Sequence, residues 1–174
     1  DSAIHKELNL NIPVGIEDIP EEQKQIEYQI QFLKQGHVIF FASSGYGKTV
    51  FLETLLLGLC ALNSVKNLHA YLLDFGNNAL LPLKALPHVA DYITYDNLEK
   101  QQKLMALLFK EMKQRKQLMA DAMAQNFEIY NQMAEQPLPA IVLLISVSYI
   151  LSKLLTFKLS FIFTPCINHF IYFC

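Results

Sequence analysis

The stretch Val38-Ile39-Phe40-Phe41-Ala42-Ser43-Ser44-Gly45-Tyr46-Gly47-Lys48-Thr49, with the apolar run Val50 to Leu62 behind it, constrains this chain more than any other. It reads as a buried strand, a glycine turn and a helix, the context in which a phosphate-binding loop occurs. Gly45 and Gly47 can take the positive φ values that turn successive backbone N–H groups toward one point, and the helix dipole there favours negative charge. Lys48 supplies a point charge for β- and γ-phosphates, and the Thr49 hydroxyl a ligand for the accompanying Mg2+. The expected binding set is Ala42, Ser43, Ser44, Gly45, Tyr46, Gly47, Lys48 and Thr49, with Thr49 as the metal ligand and no residue assigned to catalysis. The full pattern G-x-x-x-x-G-K-[ST] would open with glycine, and here Ala42 stands in that place. The plain alternative is a chance Gly-Lys-Thr at a helix start; the apolar strand and helix on either side argue against it.

A chain of 174 residues has room for about one domain, and an apolar fraction of 52% is ample for its core. The formal net charge of −2 offers no basic excess for nucleic acid. Cys60, Cys166 and Cys174 are too scattered for a zinc or disulfide framework, which points to a reducing interior. With no initiator methionine or signal peptide, Asp1 is expected to open a fragment of something longer.

Residues 1–25 read as a lead-in strand and loop, with Ile12 to Ile19 as the apolar part. Ile26, Tyr28, Ile30 and Phe32 alternate with polar residues, the period of a strand with one wet face. Val38 to Phe41 is apolar without alternation, as expected for a strand covered on both faces of a parallel sheet. The helix Val50 to Leu62 is apolar nearly all round and is expected to be buried on more than one side. A second buried strand spans Leu68 to Phe75, and its Asp74 is expected to anchor a loop rather than to hold a metal. The segment before Pro87 reads as a short helix, His88 as a structural histidine, and Ala90 to Tyr95 as a short strand. Asp96 and Glu99 form a capping box before a long helix whose core stripe is Leu104, Leu108, Met112, Met119 and Met123. Pairs Glu99 to Lys103 and Glu111 to Arg115 lie four apart in the favourable direction. Lys103, Lys110 and Lys113 share the other face, which reads as solvated.

The final strand, Ala140 to Ile145, is where an aspartate should follow the apolar run to orient Mg2+ and its water. Ser146 occupies that position. From there to Cys174 the 29 residues contain no Asp, Glu, Gln, Arg, Gly, Ala or Met, whereas residues 1–145 hold all sixteen acids. Three explanations stand: a membrane span, poorly served because Lys153, Lys158, Pro165 and Asn168 interrupt it; a β-rich segment without turn residues; or a change of reading frame after Ile145, which the composition favours.

Val14-Gly15-Ile16 with Asp18 and Pro20, Gly36-His37, Ser43 to Thr49, Tyr71 to Gly76, Leu86 to Val89 and the Glu111 to Lys116 helix together resemble the FtsK/SpoIIIE-type ATPase domains. Within that family they are most similar to the second or third ATPase domain of the membrane-bound EssC/EccC/YukB proteins of type VII secretion. The resemblance covers about residues 12–145, leaving 146–174 as a non-family apolar tail. It implies an α/β P-loop NTPase of the ASCE, RecA-like kind, with a mostly parallel but incomplete sheet. It also implies ATP and Mg2+ as cofactors, a place on the cytoplasmic side of the bacterial membrane, and as partners other ATPase domains of the parent protein and secreted WXG100-like substrates. Hydrolysis is not carried over, because Ala42 and Ser146 depart from the pattern and the elements that follow this strand in the family are absent. The alternatives are a DNA-translocating motor and a nucleotide-independent module that receives secreted substrates. A chain with half a sheet and an apolar tail also risks aggregation.

Overall fold

The computed structural model describes residues 8–40, 42–43 and 45–147. The apolar tail and the explanations offered for it lie outside the described residues, apart from Ser146 and Val147.

The chain opens with an antiparallel hairpin of β1, Asn11–Ile19, and β2, Lys24–Gln31, joined through a short 3-10 turn at Pro20–Glu22. A single helical turn, α1 at Phe32–Gln35, ends at Gly36. After the glycine turn comes α2, Lys48–Leu62, then β3, Leu68–Phe75, a 3-10 turn at Leu81–Ala85, and β4, Val89–Thr94. The long α3, Leu98–Asp121, and the short α4, Phe127–Met133, lead into β5, Ala140–Val147.

The three later strands form one parallel sheet in the order β4, β3, β5. Alternation divides their side chains between two cores. Leu68, Ala70 and Leu72 of β3, with Ala140, Val142 and Leu144 of β5, pack with Leu52, Leu55, Leu56 and Leu59 of α2 and with Ile12 and Ile30 of the hairpin. Leu73, Phe75, Ile141, Leu143 and Ile145 face the other way and pack with Leu104 and Leu108 of α3. The sheet is therefore the middle of three layers, and its strands are continuously apolar because both faces are covered.

Direct contacts fix the outer layers. Ile12 crosses α2 at Gly58, where an added Cβ would meet Ile12 Cγ2 at 3.2 Å. Buried Asn63 accepts from the Asn9 N–H at 2.7 Å and donates to the Asn9 and Leu59 carbonyls at 2.7 and 2.8 Å, which ties the hairpin's root to the end of α2. His88 Nε2 lies 3.0 Å from the Asn63 carbonyl, a structural role of the kind expected for it, although its Nδ1 is buried without a partner. On the opposite layer, Arg115 pairs with Glu111 and donates to the Pro139 carbonyl at 2.8 Å, fastening α3 to the entry of β5.

Several expectations need correcting. Residues 38–40 form no strand: Val38 and Phe40 pack on the core and Phe40 stacks on Phe51 with ring centroids 4.6 Å apart, but Ile39 is exposed. Hydrophobicity in that run reports burial and not pairing, since among the described residues the sheet holds β4, β3 and β5 alone. Helix α2 is covered on two sides, by the sheet through Leu52, Leu55, Leu56 and Leu59 and by the hairpin at Gly58, but not all round: Val50 and Leu57 are exposed. Tyr28 is exposed because the hairpin reaches past the core that covers Ile30. Asn97, not Asp96, caps α3, accepting from the Lys100 N–H at 3.1 Å; the Asp96 carboxylate instead takes a hydrogen bond from Thr94, which holds its pKa low. Met123 is 91% exposed because α3 ends at Asp121, and Met123 itself turns the chain away with φ of 53°.

Candidate functional site

In the glycine turn, Gly45 has φ of 85° and Gly47 φ of 78°, left-handed values that an L side chain rarely adopts, and space is open where either Cβ would stand. Gly47 caps α2, whose first residue is Lys48. The Tyr46 N–H reaches back to the Ser43 carbonyl at 3.3 Å, and the first helical bond runs from the Phe51 N–H to the Gly47 carbonyl at 2.9 Å. The opening turn of a helix leaves its leading N–H groups without intrahelical partners, so this turn presents donors to open space beside the two glycines. Ala42, Lys48 and Thr49 are half-buried, while Ser43, Gly45, Tyr46 and Gly47 are exposed; Ser44 lies outside the described residues.

The position of this turn relative to the sheet follows from α2. Its end at Leu62 joins the start of β3 at Leu68 through a link tied down by Asn63. Fifteen residues of helix span about 22 Å and eight residues of strand about 26 Å. Packed along the sheet through Leu52, Leu55, Leu56 and Leu59, α2 therefore runs back toward the carboxyl ends of the strands and carries Gly45 to Thr49 toward that end.

At the same end stand Asp74 and Ser146, paired in register on β3 and β5. Asp74 lies two residues past Leu72 and Ser146 two past Leu144, so both side chains point to the face that α2 covers. Asp74 is 2% exposed and fully engaged: Oδ1 accepts from the Gly76 N–H at 3.1 Å, and Oδ2 from the Leu80 N–H at 2.8 Å and the Tyr92 hydroxyl at 3.2 Å. It is the loop anchor expected from the sequence. Burial and the neighbouring Asp74 push the Tyr92 phenol up to about 12. Tyr92 was invisible in the sequence, because nothing in a short apolar strand marks which tyrosine meets an acid from the next strand. Among the described residues no group of three His, Cys, Asp or Glu side chains is placed to hold a metal.

A parallel sheet with helical layers on both faces, and a glycine-turned helix start at its carboxyl end, defines a P-loop α/β domain. The FtsK/SpoIIIE family model matches residues 4–160, and the chain belongs to that family. It is 42% identical over 130 residues to the ESX secretion system protein EccC of Geobacillus thermodenitrificans, and 36% identical over 140 residues to the type VII secretion system protein EssC of Staphylococcus aureus. Those matches cover 75% and 80% of this chain and 9% of either relative, so the chain spans about a tenth of their length. The solved structure of EssC (ATPases 2 and 3) from Geobacillus thermodenitrificans superposes with a TM-score of 0.86 at 34% identity, covering 99% of this chain and 34% of that one.

Proposed function

We propose that this chain is a nucleotide-binding ATPase-type unit of a type VII secretion protein, with little or no turnover of its own. The observation that supports it best is the pair of left-handed glycines opening α2, with open space beside them into which a phosphate chain could enter. Backbone N–H groups from Ser43 to Thr49 and the Lys48 ammonium would hold the phosphates of ATP, and the Thr49 hydroxyl would be the protein's ligand for Mg2+. Bound Mg2+ supplies charge neutralisation of the phosphates. Slow turnover follows from position 146: a serine hydroxyl cannot fix a metal-bound water as a carboxylate does, and Asp74 beside it already spends both oxygens on Gly76, Leu80 and Tyr92. The site has no assigned catalytic residue.

By its kinship the unit works at the cytoplasmic face of the bacterial membrane, beside other ATPase domains of a larger protein and on secreted WXG100-like substrates; the boundary near Ile145 rests on the change of composition alone, since the family model runs on to residue 160. A DNA-translocating role is disfavoured by the net charge of −2. Saturable ATP binding with negligible phosphate release by the pure chain is the expected result. Steady release that depends on Lys48 would refute the lack of turnover; peptide binding indifferent to nucleotide, with no ATP binding, would favour a pure substrate-docking module.

A further inference from the structure

We propose that the loop Gly76–Leu80, held by Asp74 and Tyr92, is the part of this chain that distinguishes a nucleoside triphosphate from a diphosphate. The inference rests on the nucleotide-binding reading above.

The loop is fastened at both ends by one carboxylate, through the Gly76 and Leu80 N–H groups, and Leu80 is fully buried beneath it. Gly76 lies directly over the Asp74 and Ser146 pair: a Cβ there would stand 3.5 Å from Asp74 Oδ1 and 3.6 Å from Ser146 Oγ. The tip, Asn77 and Asn78, is exposed at the carboxyl end of β3, where ligands of open α/β sheets bind. That is the end, and the face, toward which α2 carries Lys48. A triphosphate held by its inner phosphates at Gly45 to Thr49 would offer its outermost phosphate to groups at this same end and face of the sheet, where the loop tip is a polar surface beside position 146.

The network also contains a point where partners can exchange. The Tyr92 hydroxyl lies 3.2 Å from both Asp74 Oδ2 and Asn78 Oδ1 and has one proton for the two. Asp74, as a carboxylate, is the stronger acceptor. Asn78 is therefore the loosely held member, in a left-handed conformation at φ of 60°, and its amide is available to a phosphate oxygen. Tyr92 and Asp74 act as positioning residues; Asn77 and Asn78 would make the contact.

The test measures ATP and ADP affinities of the full chain with Mg2+ present, for wild type, Asn78→Ala, Asn77→Ala and Lys48→Ala. Loss of a charge-assisted hydrogen bond corresponds to about a tenfold change. The expected result is a ratio of ATP to ADP affinity about tenfold lower in Asn78→Ala or Asn77→Ala, carried by weaker ATP binding with ADP binding unchanged; thermal melting stays at the wild-type value in Asn77→Ala and falls slightly in Asn78→Ala, where alanine must take φ of 60°. Lys48→Ala should weaken both nucleotides. An unchanged ratio in both asparagine variants, with Lys48→Ala weakened, would overturn this inference and leave nucleotide binding intact. No binding of either nucleotide by the wild type would overturn both.

Discussion

Asp74 and Ser146 stand opposite one another on adjacent parallel strands, with Gly76 folded over the pair. One is a buried acid satisfied by the backbone of its own loop; the other is a hydroxyl where the family pattern leads one to expect an acid. Asp74→Ala would strand the buried Leu80 N–H, at a cost of about 1–3 kcal/mol before relaxation, and would remove the partner of the Gly76 N–H and the Tyr92 hydroxyl, which water can reach in part. We expect a net loss of about 2–4 kcal/mol in urea unfolding; a loss under about 0.5 kcal/mol would show that the loop is not anchored there.

Alkaline titration gives a second check on the same network. The Tyr92 phenol is raised to about 12, against about 10 in an unfolded chain. Because the unfolded state ionises first, stability associated with this group is full below about pH 10 and falls from there to about 12. Tyr92→Phe should remove that part of the alkaline decline; an identical pH profile in the variant would mean that Tyr92 titrates as an ordinary exposed phenol.

At the crossing of Ile12 and Gly58 two effects oppose. Alanine at 58 gains about 1 kcal/mol of helix propensity, but its Cβ would lie 3.2 Å from the Ile12 methyl, closer than ordinary contact. Gly58→Ala should leave stability within about 1 kcal/mol of wild type, whereas Gly58→Leu should cost more than about 2 kcal/mol by overpacking. A stable Gly58→Leu variant would show that the hairpin does not pack on α2.

Asn63 holds the amino-terminal end of the same layer. Asn63→Ala loses three hydrogen bonds to Asn9 and Leu59 and leaves the Asn9 groups without their partner. Denaturant unfolding should show about 2–3 kcal/mol of destabilisation. A cost below about 0.5 kcal/mol would mean that the hairpin's root is held elsewhere.

The parts of this fold that could be read from the chain are those in which one physical cause dominates. Leu68 to Phe75 is continuously apolar because both faces of β3 are covered, and the observed strand has those bounds. Gly45 and Gly47 take the left-handed values that a phosphate cradle needs, which only glycine adopts cheaply. Sequence and structure part where two causes compete. Val38 to Phe40 has the composition of a buried strand, but pairing depends on a neighbour that local sequence does not name. Asp96 and Asn97 are both good helix caps, and one residue of chain path decided between them. Met123 continues the helical period beyond the last helical residue. The ties made by Asn63 and Tyr92 depend on residues distant in sequence and left no local signal.

The most direct test is an equilibrium titration of ATP, with Mg2+, against the full chain and its Lys48→Ala variant. A lysine–phosphate contact is worth about 1.5–3 kcal/mol, so the variant should bind roughly ten- to a hundredfold more weakly, with unchanged thermal unfolding in the absence of nucleotide. Equal affinity in the two proteins, or no binding by either, would contradict the claim that Gly45 to Thr49 is a phosphate site.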